Sequence, residues 1–278
     1  MEDLVVDFSD HSSVKASIKT NWENYHYCLG RAPSVELSVG KYLTWLITPM
    51  PDHFMNLVVC TGLPEEGMEA LIDAALTHFR KLNIKKLSWL AEDGIPAAEM
   101  KKHLTARGLT FRESFATEMA MDLNVLPQER HPIDGLEIVL VDDEKLLRQW
   151  IHVASIGFGV PAEAVDVWFE FFNYAACSSP FQTYLAVLNG HPVGTSQQFT
   201  SAGVAGIYNV TTLPEVRGRG IGAAITMAPM LAAHRMGFRV GILQASSMGY
   251  KVYQRLGFQD FGKLNVYLWE QDKNSSPA

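Results

Sequence analysis

The sequence has few cysteines and no long apolar run, and both shortages narrow what the protein can be. Its three cysteines, Cys28, Cys60 and Cys177, form no Cys-x-x-Cys pair, so neither a disulfide framework nor a thiolate metal site is expected. No stretch approaches the roughly 18 apolar residues of a membrane span. The N-terminal residues Met1-Glu2-Asp3-Leu4 lack the basic charge of a signal peptide. We therefore expect a cytoplasmic protein that neither enters a membrane nor is exported.

Positive charge is also scarce. The 278 residues include 23 Lys and Arg against 30 Asp and Glu, which gives a formal net charge of −7. Proteins that bind nucleic acids carry basic faces, so nucleic acid is not an expected partner, although a local site can still hold a small anion. The nine histidines are scattered and show no His-Glu-x-x-His or similar spacing. No metal site is predicted.

An internal repeat organises the chain. Leu63-Pro64-Glu65 in the first half matches Leu213-Pro214-Glu215 in the second. Around each, apolar periodicity and glycine helix ends predict the order strand, helix, strand, helix, strand. Two copies of one α/β unit explain this order most simply; the alternative is chance likeness between two α/β stretches. The predicted elements are Met55–Thr61, Met68–Lys81, Lys86–Leu90, Ala98–Arg107 and Phe115–Leu123, then Ala205–Thr211, Ile221–Met236, Val240–Leu243, Met248–Leu256 and Phe261–Trp269.

A proline-containing segment from Asn124 to Asp134 predicts a boundary between domains 1–125 and 135–272. Helix-capping and turn residues predict further elements in the second domain. These are a strand Leu136–Val141, a helix capped by Asp142 or Asp143, a helix starting at Pro161, and a hairpin of Phe181–Leu188 and Val193–Thr200 joined by Asn189-Gly190.

The strongest local signal is Arg217-Gly218-Arg219-Gly220-Ile221-Gly222, between a predicted strand and a predicted helix. Glycines let a backbone approach a ligand closely, and the free N–H groups and dipole of a helix start favour an anion such as pyrophosphate. A P-loop is not matched, because no Gly-Lys-Ser/Thr follows. A Rossmann loop is matched only loosely by Gly218, Gly220 and Ala223, since Gln244 stands where an acidic residue is required. A glycine-rich helix start with solvated arginines is the remaining alternative.

The residues around this loop carry a family resemblance. Arg217, Gly220 and Gly222 form R-x-x-G-x-G, which resembles motif A of the GNAT acetyltransferases, and Pro214-Glu215-Val216 precedes it as in that family. Val252-Tyr253-Gln254-Arg255-Leu256-Gly257-Phe258 is similar to the family's Leu/Val-Tyr-x-x-x-Gly-Phe. The resemblance covers Leu136 to Trp269. It implies an α/β fold of two tandem GNAT-like units, each a mixed, mostly antiparallel sheet flanked by helices. It also implies an enzyme that moves an acetyl group from acetyl-CoA to a primary amine.

The resemblance also implies roles for single residues. Backbone groups of Val210, Thr211 and Thr212 would hold the pantetheine arm and polarise the thioester carbonyl. Tyr253 would protonate the departing thiolate, although packing on the sheet is its alternative. Ser246 replaces the asparagine of most relatives, and would either contact the cofactor or cap a helix. The residues implied to bind the pyrophosphate are Arg217, Gly218, Arg219, Gly220, Ile221, Gly222 and Ala223.

Other features of the site stay open at this stage. The general base is not identified; its candidates are Tyr208, Asn209, Glu163, Asp166 and Glu170. A CoA-binding regulatory or scaffold protein and an acyltransferase for longer chains are alternative functions. The acceptor is expected to be a small-molecule or peptide amine, but its identity and the oligomeric state are not predicted.

The first copy is expected not to bind CoA. Aligned on Leu-Pro-Glu, it has Gly67, Ala70 and Ile72 opposite Arg217, Gly220 and Gly222, and Leu104 opposite Tyr253. This makes the first copy a degenerate GNAT-like domain. Its aromatic residues Trp22, Trp45 and Trp89 are expected in the core.

Overall fold

The computed structural model describes residues 6–50, 53, 55–60, 62, 64, 66–91, 97–126, 132–175 and 180–271. Helices and strands alternate along much of this part of the chain, with three short 3-10 turns between them. No helix of the described residues is long and apolar enough to cross a bilayer. In chain order the elements are α1 (His11–Leu29), β1 (Glu36–Val39), β2 (Leu43–Ile47), β3 (Leu57–Cys60), α2 (Met68–Lys81), β4 (Lys86–Ala91), α3 (Ala97–Thr105), β5 (Thr110–Asp122), β6 (Leu136–Leu140), α4 (Glu144–Phe158), α5 (Val165–Ala175), β7 (Phe181–Leu188), β8 (His191–Ser201), β9 (Val204–Thr212), α6 (Ile221–Arg235), β10 (Val240–Ala245), α7 (Tyr250–Leu256) and β11 (Gln259–Glu270).

The chain divides into two compact units. The major unit comprises Met1–Ala32 and Ala116–Gly262, and the minor unit comprises Pro33–Phe115 and Lys263–Ala278. The units differ from the predicted domains 1–125 and 135–272 because residues 1–32 belong to the major unit and because two unit boundaries fall within β5 and β11. The predicted boundary segment includes residues 127–131, which lie outside the described residues.

The sheet of the major unit has the strand order β5-β10-β9-β8-β7-β6. Its neighbours are antiparallel except β9 and β10, which are parallel and joined through α6. Successive side chains of a strand point to opposite faces. Ser196 on β8 bonds to α6 and Gln197 bonds to α1, so these two helices cover opposite faces of the sheet.

The minor unit repeats this plan with fewer strands, in the order β1-β2-β3-β4-β11. Here β3 and β4 are the parallel pair, joined through α2, and the other neighbours are antiparallel. Trp89 is fully buried in its core and Trp45 packs at the edge of that core. Trp22 belongs instead to the major unit, where its half-buried ring lies 4.2 Å from that of His26. Both units are mixed, largely antiparallel sheets flanked by helices.

Local sequence signals correctly predicted several features of the fold. The Asp143 carboxylate accepts a hydrogen bond from the Leu146 N–H at 2.6 Å and caps α4. Asn189 and Gly190 have φ values of 50° and 81° in the β7–β8 turn, as the Asn-Gly pair predicts. Pro161 precedes a 3-10 turn that leads into α5. Three elements were not predicted from the sequence: α1, β1 and β2.

The two copies align differently at the loop than Leu-Pro-Glu suggested. Gly67 and Gly220 both cap a helix with left-handed φ values of 83° and 85°. Gly67 therefore corresponds to Gly220, and the predicted match of Gly67 with Arg217 is wrong. The cause is a shorter first loop: Gly67 lies three residues after Pro64, whereas Gly220 lies six after Pro214.

This alignment also changes the residue opposite Gly222, which is Glu69 rather than Ile72. The correspondence of Leu104 with Tyr253 is supported by equivalent bonds at the helix ends. The Leu109 N–H donates to the Leu104 carbonyl, and the Phe258 N–H donates to the Tyr253 carbonyl, both at 3.1 Å.

Candidate functional site

Strand β9 contains a bulge close to its C-terminal end. Its pairing with β8 shifts between Gln197↔Tyr208 and Thr195↔Thr211, so two steps on β8 match three on β9. The extra residue bends the strand and increases its twist. Asn209 lies at the bulge with a φ of 54°, and the Thr195 hydroxyl donates to the Asn209 carbonyl at 2.9 Å. Asparagine is one of the few residues other than glycine that adopt this conformation readily.

Strands β9 and β10 separate beyond this point. Their parallel pairing is recorded for Ala205–Ile207 with Gly241–Leu243, whereas β9 continues to Thr212. β10 meanwhile continues to pair with β5 on its other side, as far as Ala245. A gap therefore opens between two strands of one sheet, and backbone groups of β9 line it.

The direction of these backbone groups follows from the pairing. The Leu213 N–H donates to the Val193 carbonyl at 2.9 Å, toward β8. N–H and C=O groups alternate in direction along a strand, so those of Val210 and Thr212 face the gap. Thr211 directs its backbone to β8 and its side chain against Gly157 of α4. Of the three predicted strand residues, Val210 offers its N–H and C=O groups to a ligand and Thr211 anchors the strand. Thr212 offers its N–H, because its carbonyl already accepts a hydrogen bond from Arg217.

Helix α6 begins next to the gap without a side-chain cap from the described residues. The first N–H groups of a helix have no partner inside it, so those of Ile221, Gly222 and Ala223 are available to a ligand. The side chains of Ile221 and Ala223 are buried. These two residues can therefore contribute backbone groups only.

The glycines of this loop leave space that the protein does not fill. A Cβ added at Gly218 would meet no described atom within 4 Å, and one at Gly222 would meet only Thr212 Cγ2 at 3.9 Å. Gly222 has no positive φ that would require glycine, and glycine in a helix costs about 0.5–1 kcal/mol relative to alanine. Neither packing nor backbone geometry requires this glycine, and it leaves room for a ligand to approach closely. The loop thus fits a bound pyrophosphate.

Two exposed arginines add positive charge here. Arg217 Nε donates to the Thr212 carbonyl at 3.2 Å, which holds this side chain at the end of β9. Arg219 is exposed in the same loop. A helix N-terminus and two guanidinium groups together attract an anion.

Pro229 lies inside α6 and is accommodated by β8. Proline has no N–H, so the Ile225 carbonyl loses its usual helical partner. The Ser196 hydroxyl donates to this carbonyl at 2.8 Å, and Gln198 Nε2 donates to the Pro229 carbonyl at 2.8 Å. Buried polar side chains of β8 thus fix the position of α6, and with it the loop at the helix start.

Tyr253 is almost fully buried, with 8% of its surface exposed. Its ring packs edge-on against Phe258 at 5.9 Å and lies against Gly249, where a Cβ would be 2.7 Å from it. Burial raises the pKa of Tyr253 to about 12, and a hydrogen bond with Thr226 opposes this shift. Thr226 in turn donates to the Gly222 carbonyl at 2.8 Å. The tyrosine thus packs in the core and also directs its hydroxyl toward the first turns of α6; its catalytic role stays a prediction.

Ser246 lies in the turn before α7. Its hydroxyl accepts a hydrogen bond from the Gly249 N–H at 3.3 Å, and its carbonyl accepts from the Tyr250 N–H at 2.9 Å. This geometry supports the helix-capping alternative for Ser246. Its predicted contact with a cofactor is not tested by these bonds.

The candidate bases are two polar residues of β9, Tyr208 and Asn209, and three acidic residues in and just before α5. The Tyr208 hydroxyl donates to Asn21 Oδ1 at 2.8 Å, and burial raises its pKa well above 10, so it stays protonated at neutral pH. The three acidic candidates are exposed on the 3-10 turn before α5 and on α5 itself: Glu163, Asp166 and Glu170. None of these positions identifies a base.

Gly157 is a residue next to the gap that was not predicted from the sequence. A Cβ added to this α4 glycine would overlap the Thr211 side chain. Glycine therefore lets α4 pack directly onto the strand that lines the gap. A glycine inside a helical pattern was a usable signal, because it costs stability unless close packing requires it.

Comparison with known proteins identifies the fold. No protein-family model and no curated protein matches the sequence. Among solved structures, a GCN5-related N-acetyltransferase from Kribbella flavida is 19% identical with a TM-score of 0.65, over 92% of this chain and 96% of that one. One from Sphaerobacter thermophilus is 18% identical with a TM-score of 0.59, over 84% and 81%.

A tandem GNAT protein from the clavulanic acid biosynthesis pathway is similar over the full length. It is 16% identical with a TM-score of 0.58, and the match covers 97% of each chain. The predicted fold class, tandem GNAT-like units, is thereby confirmed.

Proposed function

We propose that this chain, which has the fold of the GCN5-related N-acetyltransferases, transfers an acetyl group from acetyl-CoA to a primary amine. The observation that carries this proposal is the conjunction of two features in the major unit. A gap between β9 and β10 exposes backbone groups. Beside it, α6 begins with glycines whose missing side chains leave space. An extended arm and an adjoining pyrophosphate are the two parts of CoA that such a pair of features fits.

The loop supplies the pyrophosphate site. Free N–H groups at the start of α6 donate to phosphate oxygens, Gly218 and Gly222 allow close approach, and Arg217 and Arg219 neutralise charge. The fit of this donor set to a diphosphate supports acetyl-CoA as the co-substrate.

Strand β9 supplies the site for the arm and the reacting carbonyl. Val210 and Thr212 bind the pantetheine amides as a neighbouring strand would. An N–H from the same strand stabilises the oxyanion that forms when the amine attacks the thioester carbon. Holding both reactants in this orientation contributes much of the rate enhancement of a direct transfer.

Tyr253 assists the leaving sulfur. Because burial raises its pKa to about 12, its phenol is neutral throughout the physiological pH range. As the new C–N bond forms and the C–S bond breaks, the phenol O–H donates to the developing thiolate. The amine nitrogen loses its proton to a base or to water.

The first experiment measures acetyl-CoA binding by calorimetry on three forms of the full chain: wild type, Gly222→Glu and Glu69→Gly. We expect one site in the wild type. Gly222→Glu should weaken binding at least about 100-fold, because a carboxylate would fill and repel the pyrophosphate site. Glu69 occupies the matching exposed position of α2, so Glu69→Gly should leave the affinity unchanged. Binding by Gly222→Glu equal to that of the wild type would refute the proposed site.

A second candidate is a CoA-binding regulatory protein without turnover. The observations that favour it are the burial of Tyr253 and the engagement of Ser246 in its own turn. A panel of amines with detection of released thiol separates the two functions. Binding of acetyl-CoA without thiol release from any amine would favour the regulatory role. The same assay with longer acyl-CoA donors tests the acyl preference.

A further inference from the structure

Strand β8 carries four successive polar residues that are fully buried: Thr195, Ser196, Gln197 and Gln198. Buried polar groups are costly unless they are hydrogen-bonded, so each needs an explanation. Ser196 and Gln198 bond to α6. Thr195 and Gln197 lie on the other face and both bond to Asn209, the residue at the bulge of β9.

Helix α1 completes a ring of hydrogen bonds around that bulge. Asn209 Nδ2 donates to the Tyr25 hydroxyl and to Gln197 Oε1, both at 3.1 Å. The Tyr25 hydroxyl donates to Gln197 Oε1 at 3.2 Å, and Gln197 Nε2 donates to Thr183 Oγ1 at 3.1 Å. Burial raises the pKa of Tyr25, so its hydroxyl keeps the proton that this ring requires. The left-handed backbone of Asn209 is thereby held by its main chain and by its side chain.

The same helix is also fixed to β8 and β9 on the hairpin side of the bulge. Asn21 Nδ2 donates to the Ser201 carbonyl at 3.0 Å, and the Tyr208 hydroxyl donates to Asn21 Oδ1 at 2.8 Å. The rings of Tyr25 and Tyr208 stack at 3.9 Å. Glycine at position 206 leaves room for Asn21 and for the Tyr208 ring, since a Cβ there would overlap both. Tyr25 is thus a rigidly placed hydroxyl on a well-anchored helix.

We infer that α1 positions the acyl-transfer site, with Tyr25 acting through Asn209 to hold the bulge that turns Val210 and Thr212 into the gap. The inference rests on the proposed function for the identity of the ligand. Tyr25 touches no reacting atom and is a positioning residue. It comes from the start of the chain, before the first repeat copy, and belongs to the major unit.

The test compares Tyr25→Phe with Asn24→Ala in the full chain. Asn24 is on the same helix and donates to Ser201 Oγ at 2.7 Å, away from the bulge. We expect Tyr25→Phe to raise the Kd for acetyl-CoA about tenfold, because the bulge loses both hydrogen bonds of the Tyr25 hydroxyl, with Asn209 and with Gln197. The backbone amides of Thr211 and Leu213, which bond to β8 next to the bulge, should also exchange hydrogen faster in this variant. Asn24→Ala should change neither quantity.

A second variant separates positioning from general destabilisation. Glycine adopts the φ of Asn209 without help from neighbouring side chains. In an Asn209→Gly background, Tyr25→Phe should therefore change the Kd by no more than about twofold, because the two changes act on one interaction. An undiminished effect of Tyr25→Phe in that background would overturn the inference.

The two proposals fail in distinguishable ways. If the wild type does not bind acetyl-CoA, the proposed function fails, and so does the assignment of α1 to an acyl-transfer site. Hydrogen exchange still decides the structural part without any ligand: faster exchange of the Thr211 and Leu213 amides in Tyr25→Phe supports control of the bulge by α1. Unchanged exchange in that variant would overturn it.

Discussion

In the minor unit β3 stays paired with β4 to its last residue, Cys60 opposite Ala91, whereas β9 in the major unit runs on through residues 208–212 past its last recorded pair with β10. The pairing of β2 with β3 is also regular, and that of β8 with β9 contains the bulge. Over the described residues, one strand–helix–strand plan therefore pairs regularly in the minor unit and opens a gap in the major unit, where β9 carries the inserted residue of the bulge.

The helix starts add a second contrast. Both units cap the helix with a left-handed glycine, Gly67 or Gly220. Two residues later the minor unit has Glu69, whose carboxylate lies 3.3 Å from His103 Nδ1, while the major unit has Gly222 and open space. A left-handed glycine thus serves the turn in both units. A ligand site needs in addition an unfilled first turn and an opened strand.

The largest expected effect is on kcat when Tyr253, whose counterpart in the minor unit is Leu104, is replaced. Tyr253→Phe should lower kcat about 100-fold, because the leaving thiolate loses its hydrogen-bond donor. The Kd for acetyl-CoA should stay within about twofold, since the ring and its packing remain. Steady-state kinetics and calorimetry on the purified variant measure both quantities.

Tyr250→Phe is the matched control. Tyr250 lies on the same helix and donates to Asp260 Oδ2 at 2.9 Å on the surface, so its loss should leave kcat unaltered. An unaltered kcat in Tyr253→Phe would show that this residue serves packing alone, as Leu104 does.

A smaller effect is expected on stability, which should respond differently to alanine at two helical glycines near the gap, Gly157 of α4 and Gly222 of α6. Gly157→Ala should destabilise the protein by about 1–3 kcal/mol, because its Cβ would overlap Thr211. Gly222→Ala should not destabilise it, since its Cβ meets only Thr212 Cγ2 at 3.9 Å. Gly222→Ala should nevertheless weaken acetyl-CoA binding, because the new methyl group occupies ligand space. Urea unfolding and calorimetry test the pair; equal stability losses would contradict the assignment of Gly222 to a ligand.

The smallest expected effect concerns the hydrogen bonds that hold α6 against β8 near Pro229. The corresponding residue of α2 in the minor unit is Leu76. Ser196→Ala should cost about 1–2 kcal/mol of unfolding free energy, because the buried Ile225 carbonyl loses its partner. Pro229→Ala restores a helical N–H, so the cost of Ser196→Ala should shrink in that background. A double-mutant cycle by urea unfolding measures this coupling. Additive costs would mean that the hydroxyl does not replace the missing N–H.

Local signals predicted much of the fold and of the loop. The periodicity of the second copy predicted both ends of α6 and β10 to within two residues. Short segments predicted a cap of α4 at Asp142 or Asp143 and a turn at Asn189-Gly190. These features depend on neighbours in sequence. The ring around Asn209 was not predictable in this way, because Tyr25 lies 184 residues from Asn209. No periodicity marks such a pair.

The sequence by itself determined the order of the elements from β3 onward and the glycine-rich, arginine-flanked start of α6, because both follow from backbone preferences and side-chain size over a few residues. Only the tertiary structure decided that α1 joins the major unit, that β9 carries a bulge and that Gly157 packs on Thr211. Each of these depends on contacts between distant segments, whose stability comes from burial and hydrogen bonds formed on folding. The loop can therefore be predicted from residues that are close in sequence, whereas the gap beside it depends on packing between distant segments.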